Sequence, residues 1–299
     1  MVDRPGCLDK LVNQMVEGSS QTFDGPSSTA TREREPGQAW RAGLRWVYLP
    51  WTWLVFIPFL LVSTFLWGCL AVLSSFASRR LAFHCGTIWA FCLCLMNFTW
   101  VSVRGRQNAE PGRSYVIMSN HQSHFDILAF YGFWGWQFRW VMKQELRKVP
   151  FLGWGCAGVG HIFIDRSDRD KAIASLRAAR GLLEGGVSVM IFPEGTRSTS
   201  GRLREFKKGG FMLALELGLP ILPVSISGSR HVLPNRTLKL LPGRVRIQVH
   251  PPIEVAGLGP EDRDALMARV RESIRAGLSP WEQRPLEPKD RAASRSQDR

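Results

Sequence analysis

Two stretches without a charged residue constrain this chain more than any other feature: Trp51–Ala77 and Leu81–Val103, separated only by Ser78 and the pair Arg79 and Arg80. Each reaches the ~20 apolar residues that a membrane-crossing helix needs. Seven of the twelve tryptophans fall between residues 40 and 100, and tryptophan favours the headgroup level of a bilayer. Back-to-back runs of this length argue against two ordinary core helices. Residues 40–103 are therefore expected to form a two-helix membrane motif. Pro58, Ser74, Ser75 and the arginine pair suit a hairpin that dips into one leaflet, and two spanning helices fit the lengths equally well. Arg32, Arg34, Arg41, Arg45, Arg104, Arg106 and Arg113 flank the pair and outnumber the two arginines inside it. The positive-inside rule then puts both flanks, and the domain that follows, on the cytoplasmic face.

On either side of the apolar region the texture differs. Residues 1–39 are rich in Gly, Pro, Ser, Thr and charge and are expected to be mostly disordered, as is the tail 282–299. No apolar h-region occurs in residues 1–30, so no signal peptide is expected. From 104 to 281, short apolar runs alternate with helical patterns. Strands are expected at Tyr115–Ser119, Arg139–Lys143, His161–Ile164, Val187–Phe192, Ile221–Ser227 and Arg244–Val249. Helices are expected at about 124–135, 144–158, 168–184, 207–218 and 261–277. This alternation predicts an α/β fold, a mainly parallel sheet flanked by helices, with ligands at the carboxyl ends of the strands. Net charge is +14 over 299 residues, and most of it sits on the 104–281 segment. Such a field draws phosphates, acidic membrane surfaces or nucleic acid. No helix-turn-helix, zinc or RNA-binding signature supports the last, so no nucleic-acid partner is expected. Six cysteines, four of them inside the apolar runs and none in a CxxC pair, read as reduced thiols.

Two polar constellations follow expected strands directly. The first is Asn120-His121-Gln122-Ser123-His124-Phe125-Asp126. On one continuous helix, His121 and Asp126 would stand ~140° apart, because each residue turns ~100°. They meet only if His121 lies in the turn before the helix and Asp126 in its first turn. Asp126 can then hold one imidazole nitrogen and leave the other as a base, the base-and-orienter half of a catalytic triad. A metal held by His121, His124 and Asp126 would need further ligands, and none cluster nearby, so no metal is expected. The second constellation is Phe192-Pro193-Glu194-Gly195-Thr196-Arg197-Ser198. A strand ending in a glycine turn with a hydroxyl and an arginine resembles a phosphate site: Gly195 lets amides approach, Thr196 adds a donor, and Arg197 can grip phosphate bidentately. It is not a P-loop, because the GxxxxGK[ST] spacing is absent.

NHQSHFD and FPEGTRS resemble the NHxxxxD and FPEGTRS motifs of the 1-acylglycerol-3-phosphate acyltransferase family. Weaker blocks fall in the same order: Lys143-Gln144-Glu145-Leu146 through Phe163-Ile164-Asp165-Arg166, and Leu219–Gly228. The similarity runs from about 104 to 255. It implies that His121 is a general base oriented by Asp126, and that the acceptor hydroxyl attacks the thioester of an acyl-CoA or acyl-carrier protein. Glu194, Gly195, Thr196 and Arg197 are implied at the acceptor phosphate, with Lys143 and Arg166 as further candidates and Pro223 shaping the acyl pocket. No bound cofactor is implied, only the acyl donor as co-substrate. The expected partners are a lysophosphatidate-type lipid, that donor and a membrane surface. The cluster Arg202, Arg204, Lys207 and Lys208 is expected either to touch acidic headgroups or an acidic carrier, or to be a solvated loop. The same motifs would serve other acceptors, such as a lysophospholipid, glycerol 3-phosphate or dihydroxyacetone phosphate. A membrane-anchored lipid-binding protein without catalysis is the more distant alternative.

Overall fold

The computed structural model describes residues 38–165, 180–183, 185–235 and 237–286. The first tail up to 37, most of the expected helix 168–184, Arg166 and the last residues from 287 lie outside them; Arg180–Leu183 form a 3-10 turn.

Seven strands form one sheet: β1 (Thr99–Arg104), β2 (Val116–Ser119), β3 (Phe138–Lys143), β4 (Ile162–Ile164), β5 (Ser188–Ile191), β6 (Ile221–Ser227) and β7 (Gly243–Val249). Their order is β1-β7-β6-β2-β5-β3-β4. Every pairing is parallel except β6 with β7, which agrees with the expected mainly parallel sheet. The central strand β2 is buried on both faces, as a strand covered by helices must be. Ile117 packs into a core with Phe83, Leu93, Phe130 and Ile247. Val116 and Met118, on the opposite face, pack with Phe211, Leu266, Val270 and Ile274.

The first core is roofed by the apolar helices. Gln38–Trp51 and Ile57–Ala77, joined by π-helical Thr52–Phe56, form one long helix, α1. Ser78 caps the next helix, α2 (Arg79–Met96), by accepting from the Arg80 amide. Beneath them lies α3 (Phe125–Phe133). The second face carries α5 (Gly209–Leu217) and α6 (Arg263–Ala276), while α4 (Leu152–Val159) packs on α1. Among the described helices, only the stretch Gly43–Ala77 of α1 is long and apolar enough to cross a membrane. Its outward side leaves Trp46, Leu54, Leu66, Leu73 and Phe76 exposed. Its inward side is docked at both ends. Trp51 Nε1 donates to the Met96 carbonyl at 3.2 Å, and Gly68 meets the Phe151 backbone so closely that an added Cβ would lie 2.8 Å from its oxygen.

Three expectations are corrected. The second apolar run does not stay helical to 103: α2 stops at Met96, and Thr99, Val101 and Val103 bring β-branched residues to strand β1, which pairs with β7. The catalytic fold thus begins about five residues before 104. Residues 144–158 are not one helix. Gln144–Lys148 form a 3-10 segment and α4 starts only at Leu152, because Pro150 disfavours helix in the residue before it and Phe151 takes φ 60°. The ordered chain also runs past 281. Glu282, buried at 2 % exposure, accepts from the Ser227 and Ser279 hydroxyls and from the Gly228 amide.

Candidate active site

The parallel strands β2, β5 and β3 end on the same side of the sheet, and both constellations sit there. Ser119, the last residue of β2, is paired with Val224. Asn120 then locks the chain to β6: its Nδ2 donates to the Ile226 carbonyl and its Oδ1 accepts from the Ile226 amide, both at 2.8 Å. The turn 121–124 follows, and Ser123 Oγ accepts from the Phe125 amide as α3 begins.

In this turn His121 and Asp126 meet, as their spacing required. His121 Nδ1 lies 2.8 Å from Asp126 Oδ2. The same oxygen accepts from the Gln122 amide at 2.6 Å and the Ser123 amide at 2.8 Å. An oxygen that already receives two amide protons is placed to accept a third from Nδ1, and in that tautomer the neutral imidazole has its lone pair on Nε2. Asp126 is fully buried, whereas the His121 side chain is 12 % exposed. The carboxylate is thus shielded while the imidazole is reachable. The imidazole also stacks on Phe192, with centroids 3.8 Å apart and planes 8° from parallel. Phe192 rests in turn on Trp140. Surrounding atoms push His124 down to about 4, helped by the charge of Arg197 and by His121. His124, exposed at the rim of the turn, is therefore a neutral neighbour of His121 and Arg197.

The second loop is tied to the first by two hydrogen bonds. Ser198 N donates to the His121 carbonyl at 2.7 Å, and Glu194 Oε1 accepts from the His121 amide at 2.7 Å. The Glu194 carboxylate is turned inward, away from solvent. It is buried at 1 % exposure, and its other oxygen accepts from the Arg204 amide at 2.9 Å. Burial raises its pKa to about 7, against the lowering effect of those two amides. Glu194 is a brace between the loops. Gly195 has φ 75°, the left-handed region that favours glycine, and its amide closes the turn onto the Phe192 carbonyl. Thr196 Oγ1 accepts from the Arg204 guanidinium. The Arg197 side chain is half-buried, and its carbonyl accepts from Asn235. Lys143 stands at the end of β3, two strands from β2, exposed and 2.8 Å from Glu145. Arg166 lies outside the described residues.

Asn120, Phe192 and Arg204 act in this arrangement without having been singled out as site residues. Asn120 and Phe192 border the two motifs. Of the basic cluster expected to meet acidic headgroups, a carrier or solvent, Arg202 and Arg204 are buried at 6 % and 4 % exposure, and only Lys207 and Lys208 remain on the surface. Arg202 lies over the Trp281 ring and donates to the Pro285 carbonyl. Nothing in a run of basic residues distinguishes an arginine that braces a loop from one in solvent.

Residues 100–227 match the family model described as Acyltransferase. A 1-acyl-sn-glycerol-3-phosphate acyltransferase of Chlamydomonas reinhardtii is 32 % identical over 238 residues, covering 78 % of this chain and 69 % of the relative. One from Pseudomonas aeruginosa is 33 % identical, covering 81 % and 96 %. The alpha acyltransferases of cattle, sheep, human and mouse are matched over only 61–62 % of their own length. The crystal structure of the 1-acyl-sn-glycerophosphate acyltransferase PlsC from Thermotoga maritima superposes with a TM-score of 0.67 at 30 % identity, covering 78 % of this chain and 95 % of that one.

Proposed function

The chain belongs to the 1-acyl-sn-glycerol-3-phosphate acyltransferase family, and from that premise we propose that it transfers an acyl group from a thioester donor to the free hydroxyl of 1-acylglycerol 3-phosphate, giving phosphatidate. His121 Nε2 removes the hydroxyl proton as the oxygen attacks the thioester carbonyl. The new C–O bond forms, the tetrahedral intermediate collapses, the C–S bond breaks, and the imidazolium returns the proton to the departing sulfur. Asp126 keeps the imidazole in the required tautomer and stabilises its charged form. The observation that carries this reading is the 2.8 Å contact between His121 and buried Asp126 beside an arginine loop bonded to His121 itself.

Arg197 is assigned to the acceptor phosphate, with Thr196 beside it and Lys143 and Arg166 as further cations. Glu194 and Gly195 shape that loop rather than touch the ligand. The apolar outer side of α1 meets the membrane that supplies the acceptor, and the flanking arginines favour the cytoplasmic leaflet. The test is acyl transfer by purified protein from labelled acyl-CoA or acyl-carrier protein to lysophosphatidate, beside the same assay with lysophospholipids. His121→Ala is expected to lose roughly 10²–10⁴-fold in turnover while remaining folded. Transfer to a lysophospholipid alone would keep the mechanism and replace the acceptor.

A further inference from the structure

The helices cover the two faces of the sheet unequally. Val245, Ile247 and Val249 of β7 face the core beneath α1, α2 and α3. On the other face, α6 reaches β6, and the alternate residues of β7 and β1 beyond it remain open. There the register sets Trp100 beside Arg244 and Ser102 beside Arg246, with Arg104 further along β1. Together with Ser227 and Gly228 they line a basin of 830 Å³. Trp100 is 74 % exposed, the three arginines are exposed, and among the described residues no carboxylate lines the basin. Among the described residues, none of the three arginines has an ion-pair partner.

Strand pairing locates this basin relative to the base. His121 follows Ser119, so it stands level with Ile226, whose partner is Ile247, itself paired with Val103. Trp100 is three residues before Val103, on a strand running the opposite way to β2, so it rises roughly 10 Å past that level. Three strand spacings separate β1 from β2, roughly 14 Å. The basin thus flanks the reacting end of the sheet, on the face away from the membrane-facing helix α1. A lipid acceptor has no reason to come from there, whereas a soluble anionic donor does.

We propose that the basin between β1 and β7 binds the nucleotide end of an acyl-CoA donor, with Trp100 stacking on the adenine and Arg244 and Arg246 gripping the phosphates. An exposed indole offers a π-face to a base, and the planar guanidinium forks match phosphate oxygens two at a time. The pantetheine arm then passes the end of β6 to present the thioester to His121. This rests on the reading of the chain as an acyltransferase and names the donor of that reaction.

The test compares acyl-CoA with an acyl-pantetheine thioester, which keeps the reacting group and lacks the nucleotide. Arg244→Gln/Arg246→Gln is expected to raise KM for acyl-CoA about 10- to 100-fold, and Trp100→Ala about tenfold. Neither should change KM for acyl-pantetheine or for lysophosphatidate. Binding of adenosine 3′,5′-bisphosphate to the catalytically inert His121→Ala variant should be lost when the Arg244/Arg246 pair is also replaced, a readout independent of turnover. An unchanged KM for acyl-CoA, or an equal rise for acyl-pantetheine, overturns the proposal. So does a rise confined to acyl-carrier protein, which would give the basin to that partner. Absence of transfer by the wild type from any donor would instead sink the acyltransferase reading, whereas bisphosphate binding would still report on the basin.

Discussion

Replacing Asp126 with Asn isolates the electrostatic half of the His–Asp pair. The shape is nearly kept, and the amide oxygen can still accept from His121 Nδ1 and from the Gln122 and Ser123 amides. What disappears is the negative charge next to an imidazole that becomes cationic in the transition state. With Nδ1 and Oδ2 2.8 Å apart, the charge centres are ~4 Å apart. At an effective dielectric of about 20 their attraction is about 4 kcal/mol. At 1.36 kcal/mol per tenfold in rate, this corresponds to a loss of about 10³ in kcat. Among the described residues, Asp126 Oδ1 has no hydrogen-bond partner. The Asn nitrogen placed there becomes a buried donor without an acceptor, costing about 1–3 kcal/mol of stability. The assay is steady-state transfer to lysophosphatidate with donor saturating, alongside thermal melting. A folded Asp126→Asn protein that keeps more than a tenth of wild-type kcat would refute the argument, because the imidazole would then not depend on its carboxylate as a charge. A raised KM at unchanged kcat would make Asp126 a shaping residue only.

Three further outcomes follow from the same geometry. Arg197→Ala should raise KM for lysophosphatidate by roughly 10- to 100-fold, the worth of a lost charged hydrogen-bond pair, with Arg197→Lys intermediate; equal KM values would remove Arg197 from the phosphate site. Glu194 has a folded pKa raised to about 7 from 4.5 by burial. The folded state therefore holds its proton more tightly than the unfolded one, and stability is greatest below the unfolded value. Stability should fall by about 3 kcal/mol as pH rises through the window between the two, then level off; in Glu194→Gln that component should be missing from denaturant melts on either side of the window. Gly68→Ala should force α1 away from Phe151, since the new methyl would lie 2.8 Å from its carbonyl oxygen, costing about 1–3 kcal/mol in thermal melting; an unchanged melting temperature would mean that this contact does not hold the helix.

The geometry of the site was legible in the sequence wherever local spacing determined it. His121 and Asp126 lie five residues apart, and a strand–turn–helix is the one local geometry that joins them, so their contact followed from counting. The parallel sheet followed from alternation. What escaped depends on contacts distant in sequence. Glu194 reads as a polar residue in a phosphate-like loop, and only the fold turns it inward onto the amides of His121 and Arg204. Arg202 and Arg204 look like surface charge until Trp281 and Thr196 are brought to them. Strand β1 lies hidden at the end of an apolar run, because Val101 and Val103 serve a helix pattern and a strand pattern equally until β7 supplies a partner.

The apolar helices show the same division between length and context. By length alone, α1 crosses a bilayer: its 35 residues from Gly43 to Ala77 are ~52 Å long at 1.5 Å per residue, against a hydrocarbon core of ~30 Å. Its inner side, however, is bonded to the end of α2 through Trp51 and Met96 and packed on α4 at Gly68. A spanning α1 would either break one of these contacts or draw α4 and the charged loop before it into hydrocarbon, where each unpaired charge costs several kcal/mol. Lying along one leaflet, α1 keeps both contacts and buries its exposed Leu54, Leu66 and Leu73 in lipid. It is then an interfacial anchor rather than a span. Under the proposed reaction that orientation sorts the substrates: the lipid acceptor is expected to reach His121 from the α1 side, and a soluble donor from the open face beyond β7.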